Sequence, residues 1–217
     1  SGKFASGEIL NKREMETVVS TEDLLSLGAL ADARRRKRHG DRVTFVRVCE
    51  VPLPDRFDLP VRKIPAGAGE VRLVGNPKDG ASAIAATNWI IGAAGSIPLT
   101  GFALDDLAES CDGDAVALSE LLKELKGAGL SGIAEARMDR LSDPELMVLA
   151  AGSGLAVGRL TVAEANGVAL SRQVADWGSA LDGVRAIAPL SRTTKVTTGY
   201  YDLRQVALAR LLVDNID

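Results

Sequence analysis

The feature that most constrains this chain is an alternation of two periodicities. Short runs rich in valine and isoleucine recur at Val43 to Val48, Glu70 to Gly75, Ser96 to Phe102, Gly132 to Met138, Leu155 to Leu160 and Val184 to Leu190. Such runs favour strands. Between them, apolar residues take helical spacing over Ala81 to Ala94, Ala115 to Lys126, Asp143 to Ala151, Thr161 to Leu181 and Tyr200 to Val213. In the second of these, Leu118, Leu121, Leu122 and Leu125 fall on one helical face. Strands alternating with helices imply right-handed β-α-β units, and hence an α/β fold with a parallel sheet of six strands.

Two stretches depart from that rhythm. Glu8 to Val19 is polar and carries no assigned structure. After it, Ser20 with Asp23 three residues later makes a capping-box-like start to a helix through Leu24, Leu27, Ala31 and Arg34 that ends near Gly40. The run Arg34 to His39 closes that helix, where the helix dipole favours cations. The connection from Val48 to Glu70 contains four prolines and no helical period, although a β-α-β crossover normally needs a helix. Ala66-Gly-Ala-Gly69 precedes a strand instead of following one, so it fails the context test for a phosphate loop.

Composition sets the outer bounds. The chain has 217 residues, 46% of them hydrophobic and 25% charged, which suits one domain over 1–217 better than two. Within it, 1–40 forms a lead-in and helix, and 41–217 the strand-and-helix body. A net charge of −3 and a pI near 5.4 give no general basis for binding nucleic acid or an anionic membrane. No apolar run reaches the roughly 20 residues that span a bilayer, and no basic-then-apolar leader opens the chain. The expected location is the cytoplasm, with Cys49 and Cys111 as free thiols. The opening Ser1-Gly-Lys3 reads as a cloning remnant.

Three stretches carry a family resemblance. Ser20-Thr-Glu-Asp-Leu-Leu-Ser-Leu-Gly-Ala-Leu-Ala-Asp-Ala-Arg34, running on through His39-Gly-Asp-Arg-Val-Thr-Phe45, resembles the entry segment of aminofutalosine synthase. That family comprises radical S-adenosylmethionine enzymes of the futalosine route to menaquinone and is related to the deazaflavin-cofactor synthases. Glu120-Leu-Leu-Lys-Glu-Leu-Lys-Gly-Ala-Gly-Leu130 is similar to the family's helix and turn before a mid-barrel strand, and Thr197 to Ile216 to its late helix. The resemblance implies a partial (β/α)6 TIM-type barrel. This one is shortened, because the first crossover helix is missing and Asp217 comes before the family's final strand and helices.

The resemblance also implies a loss. Such enzymes hold an iron-sulfur cluster on a Cys-x3-Cys-x2-Cys loop after the first strand, because three soft thiolates are needed to leave one iron free for S-adenosylmethionine. Here the loop has Cys49 alone, and the other cysteine is Cys111. Where the family has Gly-Gly after its second strand, this chain reads Val74-Gly75-Asn76-Pro77. Where a central strand opens space with glycines, this chain carries Glu135-Ala-Arg137. Neither the cluster nor S-adenosylmethionine is expected as a cofactor, and no metal ligand set is present in the pattern. His39, the one histidine, has no second ligand at metal spacing.

In parallel α/β barrels ligands sit at the carboxyl ends of the strands. That rule nominates Arg47 and Cys49 after the first strand, Asn76 after the second, Thr100 on the third, Glu135 and Arg137 on the fourth, Arg159 on the fifth, and Ser191 and Arg192 after the sixth. Converging arginines could clamp an anionic small molecule. Alternatively, Glu135 pairs with Arg137 or Arg159 and plugs the space a cofactor would fill. Two functions follow. One is a pseudoenzyme that binds a small molecule or a partner, with a homodimer covering the open barrel side. The other is a cluster-free lyase or isomerase using Glu135 and Arg137 for acid-base chemistry, in a menaquinone-related or other specialised pathway. Trp89 and Trp177 are expected in the core or an interface.

Overall fold

A computed structural model describes residues 12–61, 63–164, 173–174, 177–191 and 197–213. Its centre is a six-stranded, all-parallel, half-barrel sheet in the simple order β1-β2-β3-β4-β5-β6. The strands are β1 Val48–Pro52, β2 Glu70–Val74, β3 Leu99–Ala103, β4 Gly132–Arg137, β5 Arg159–Val162 and β6 Ala186–Ser191. The helices are α1 Lys12–Ser20, α2 Leu24–His39, α3 Gly80–Ala94, α4 Leu104–Ser110, α5 Ala115–Gly127, α6 Glu145–Gly152 and α7 Gly199–Leu212, with a 3-10 turn at Gly178–Leu181. The expected α/β class with six parallel strands is therefore observed. β1 and β6 are the sheet's two edges. No helix among the described residues is long and apolar enough to cross a membrane.

Burial follows the local chemistry. β2 alternates: Val71 and Leu73 are buried in the apolar core, while Glu70, Arg72 and Val74 are only half-buried. Helix α5 starts on Asp114, whose carboxylate accepts from the N–H groups of Val116 and Ala117. It buries Leu118, Leu121, Leu122 and Leu125, the face read from the sequence. Helix α3 starts on a reciprocal capping box between Asp79 and Ser82.

Helices α2 and α7 lie side by side and run the same way. Near their starts, the Tyr200 hydroxyl donates to the Glu22 carbonyl at 2.6 Å and the Arg204 guanidinium to the Val19 carbonyl at 2.6 Å. Near their ends, Arg210 shares a groove with Arg34 and His39.

Several expectations move. The first strand is Val48–Pro52, not Val43 to Val48; Val43 and Phe45 are 80% and 93% exposed, and pairing Val48 with Glu70 instead brings Val51 into the core. The continuous fifth strand begins at Arg159, and the earlier part of the expected run meets β4 only through an isolated parallel bridge between Val157 and Ile133. Thr161 and Val162 belong to that strand, so the helix expected from Thr161 cannot start there. Much of that span lies outside the described residues. Helix α4 was not legible as a separate element.

The lead-in is also better ordered than its polarity suggests, since Lys12–Ser20 is helical. Ser20 ends that helix, its hydroxyl donating to the Thr17 carbonyl. The cap of α2 is Asp23, which accepts from the Ser26 N–H. Helix α2 stops at Gly40, whose φ of 60° a glycine adopts at no steric cost.

Between β1 and β2, no helix forms among the described residues. The proline-rich connection instead leans on α3, where Trp89 Nε1 donates to the Leu59 carbonyl at 2.7 Å and the Phe57 and Trp89 rings meet at 6.2 Å. Trp89 and Trp177 both pack partly buried against the core.

The position of the α2 cap is checked by paired substitutions. Asp23→Ala lowers the melting temperature by removing the acceptor for the α2 N-terminus, whereas Ser20→Ala leaves it unchanged in the same calorimetric scan.

Candidate functional site

A cleft of about 370 Å³ opens at the carboxyl end of the sheet. Its walls come from Glu50 on β1, Arg72 to Asn76 on and after β2, the end of β3, Asp106 on α4, Glu135 and Arg137 on β4, and Arg159 on β5.

Three charged groupings line it or stand directly behind its lining. In the first, strand register sets Glu50, Arg72 and Thr100 in one row across β1, β2 and β3. Arg72 donates to Glu70 at 2.6 and 2.9 Å and lies 3.8 Å from Glu50. The Thr100 hydroxyl donates to the same Glu70 oxygen at 2.7 Å. In the second, β4–β5 register places Glu135 beside Arg159, and the two pair at 3.0 Å.

The third is the most buried. Helix α4 follows β3 with no loop, so its first turn sits against the end of β4. Phe102 makes this possible by holding φ at 64° while 98% of its surface is buried. A bulky residue in the left-handed region costs on the order of 1–3 kcal/mol, so packing must hold it there. The turn that follows presents Asp105 and Asp106 to Arg137. Asp105 accepts the Arg137 backbone N–H at 3.0 Å and its Nε at 2.5 Å, and Asp106 accepts from Nη2.

These side chains are largely shut off from water, at 6% exposure for Asp105, 8% for Asp106 and 18% for Arg137. Burial pushes the Asp106 carboxyl above the ordinary aspartate range, with Arg137 offsetting only part of that effect. Burial also opposes the charge on Arg137, but the two aspartates outweigh it and raise its already high pKa.

The sequence-nominated residues distribute unevenly. Asn76, Glu135, Arg137 and Arg159 line the cleft, whereas Thr100 stands behind the lining, bonded to Glu70, which in turn holds the lining residue Arg72. Glu135 pairs with Arg159 and not with Arg137, since two residues apart on β4 they meet different neighbours. Arg47 is a correction: because β1 starts at Val48, Arg47 stands at the amino end of the strand. It lines a separate cavity of about 410 Å³ with Cys49, Leu59 and Trp89. Cys49 is the second residue of β1, not part of a loop after it. Ser191 ends β6, in register with Val162, and Arg192 lies outside the described residues.

Glu50, Glu70, Arg72, Asp105 and Asp106 were not nominated. Two signals were present: charged residues at alternate positions of an apolar strand at Glu70 and Arg72, and adjacent carboxylates directly after the β3 run. Comparison with models of known protein families and with curated proteins gave no match.

The buried triad makes two checks possible. Arg137→Ala strands two buried carboxylates and costs about 3 kcal/mol in urea unfolding, whereas Arg137→Met combined with Asp105→Asn and Asp106→Asn recovers most of that loss. The second check concerns pH. A carboxyl raised in the folded state binds its proton more tightly there, so its stabilising contribution is full below about 3.9, the ordinary value. It is lost as pH rises through the higher folded value. The urea midpoint of the wild type therefore carries a component that declines as pH rises through the folded value of Asp106, and Asp106→Asn removes it; an identical pH profile for the variant would contradict the assignment.

Proposed function

We propose that the chain is a degenerate radical S-adenosylmethionine-like barrel of the aminofutalosine synthase type that holds no iron-sulfur cluster and binds a small molecule in the cleft. The observation that carries this reading is the ion-paired filling of the cleft. Where the resembling family keeps glycine-lined space, Glu135 is tied to Arg159 and Arg137 to Asp105 and Asp106. Two cysteines in the whole chain also fall short of the three thiolates such a cluster needs.

Charge narrows the ligand. The lining itself balances three arginines against Glu50, Asp106 and Glu135, and behind it Glu70 and Asp105 add two more carboxylates. Even with a proton on Asp106, carboxylates outnumber guanidinium groups. An anionic ligand would have to displace bonds the arginines already make. A cationic or neutral polar molecule, such as an amine, would complement Glu50 and the acidic surplus instead.

A second reading, a cluster-free lyase or isomerase, draws on Asp106 beside Glu135 and Arg137, a cleft carboxyl whose raised proton affinity suits general acid-base work. The same barrel leaves β1 as an open edge flanked by exposed Val43, Phe45 and Val46, which is the place for a second copy or other partner.

The test combines three measurements on the intact chain. Anaerobic reconstitution with iron and sulfide is expected to give no four-iron absorbance and no cleavage of S-adenosylmethionine; turnover would overturn the reading. A thermal-shift screen is expected to favour small amines over carboxylates of equal size, with Glu50→Gln removing the response. Light scattering is expected to report a dimer.

A further inference from the structure

The C-terminal ends of α2 and α7 form a groove of opposite charge. Arg34, Arg35, Arg38 and His39 come from the last turns of α2, Arg42 and Thr44 from the segment beyond the Gly40 turn, and Arg210 from the last turn of α7. Together they line a cavity of about 530 Å³, within the range of about 300–1,000 Å³ typical of small-molecule sites.

Part of this basicity has a local cause. Each helix end carries roughly half a negative charge, so the two ends together call for about one cation. The lining brings five arginines, of which Arg34 and Arg38 already have partners. Arg35 is committed to Asp32 at 3.0 Å and to the Gly40 carbonyl at 3.1 Å. Arg42 and Arg210, contributed by different elements, make no side-chain hydrogen bond or ion pair among the described residues. Two helix ends do not account for them.

We propose that this groove binds a small molecule bearing a di- or triphosphate. Guanidinium forks bind phosphate oxygens two at a time, and several set around one concavity suit an ion of multiple charge better than a lone carboxylate. The Thr44 hydroxyl adds a neutral donor at the same wall. A small molecule fits better than a nucleic acid, because the arginines are confined to one groove on a chain of net charge −3, and a duplex or strand needs an extended basic track. The site is separate from the cleft and independent of the reading given for it.

Titration calorimetry with inorganic pyrophosphate and with adenosine triphosphate tests this on the intact chain. Both are expected to bind, with affinity falling as salt rises. The double variant Arg42→Gln/Arg210→Gln is expected to lose at least about tenfold in affinity while keeping the wild-type melting temperature, since neither side chain supports the fold. Arg36→Gln, which removes a partner of Asp32 outside the groove lining, is expected to bind as the wild type does. Absence of binding at about 1 mM pyrophosphate, or equal affinity in the double variant, would overturn the proposal. Tighter binding of a mixed-sequence single-stranded oligonucleotide than of adenosine triphosphate would also overturn it in favour of a nucleic-acid ligand.

Discussion

The contact of Arg137 with Asp105 and Asp106 ties together two parts of the fold that the cleft depends on. It joins the carboxyl end of β4 to the helix that leaves β3, so it sets where α4 lies and how the cleft is closed on one side. Its cost is visible on both flanks. Phe102 must hold a left-handed backbone to start α4 at once, and one guanidinium must serve two carboxylates in a poorly solvated place. Replacing such a cluster with apolar residues of equal volume is often neutral or stabilising. Its presence therefore speaks for a required geometry at the cleft more than for a need to hold the sheet together. The leucine and isoleucine layer around Leu73, Leu122 and Ile133 already does that.

The missing crossover has a consequence at the other end of the sheet. With no helix between them, β1 is fixed by its ladder to β2 and by the proline-rich segment that Trp89 pins through the Leu59 carbonyl. Prolines stiffen such a connection by removing unfolded-state freedom. They also deny it the backbone donors that would cover β1's outer face. The result is an edge strand whose approach segment, through Phe45, stays in solvent.

What could be read from the sequence follows how local each determinant is. Helices with a strong apolar face, such as α5, were found with bounds within a residue or two, because side-chain spacing alone decides them. Strand positions slipped where an apolar run extends past the paired residues: Val43 to Val48 is as β-prone as Val48–Pro52, and only pairing with β2 chooses between them. That choice moved Arg47 to the wrong end of the barrel. Within the site, Glu135 and Arg159 were both legible as strand charges, but register across β4 and β5, a non-local quantity, decides that they pair. Asp105 and Asp106 were hidden because a seven-residue helix that follows a strand with no loop has too little period to register.

Charge separation on this chain argues against judging partners from its net charge. At physiological salt the screening length is about 8 Å, so a global −3 says little about what a ligand meets at any one surface. The cleft gathers five carboxylates around three guanidinium groups, while the groove between α2 and α7 gathers five arginines within one cavity. Each cluster has a local structural cause: strand register and the α4 turn for the first, two parallel helix ends for the second. Those causes account for the sign of the charge, and in the groove Arg42 and Arg210 exceed what the two helix ends call for.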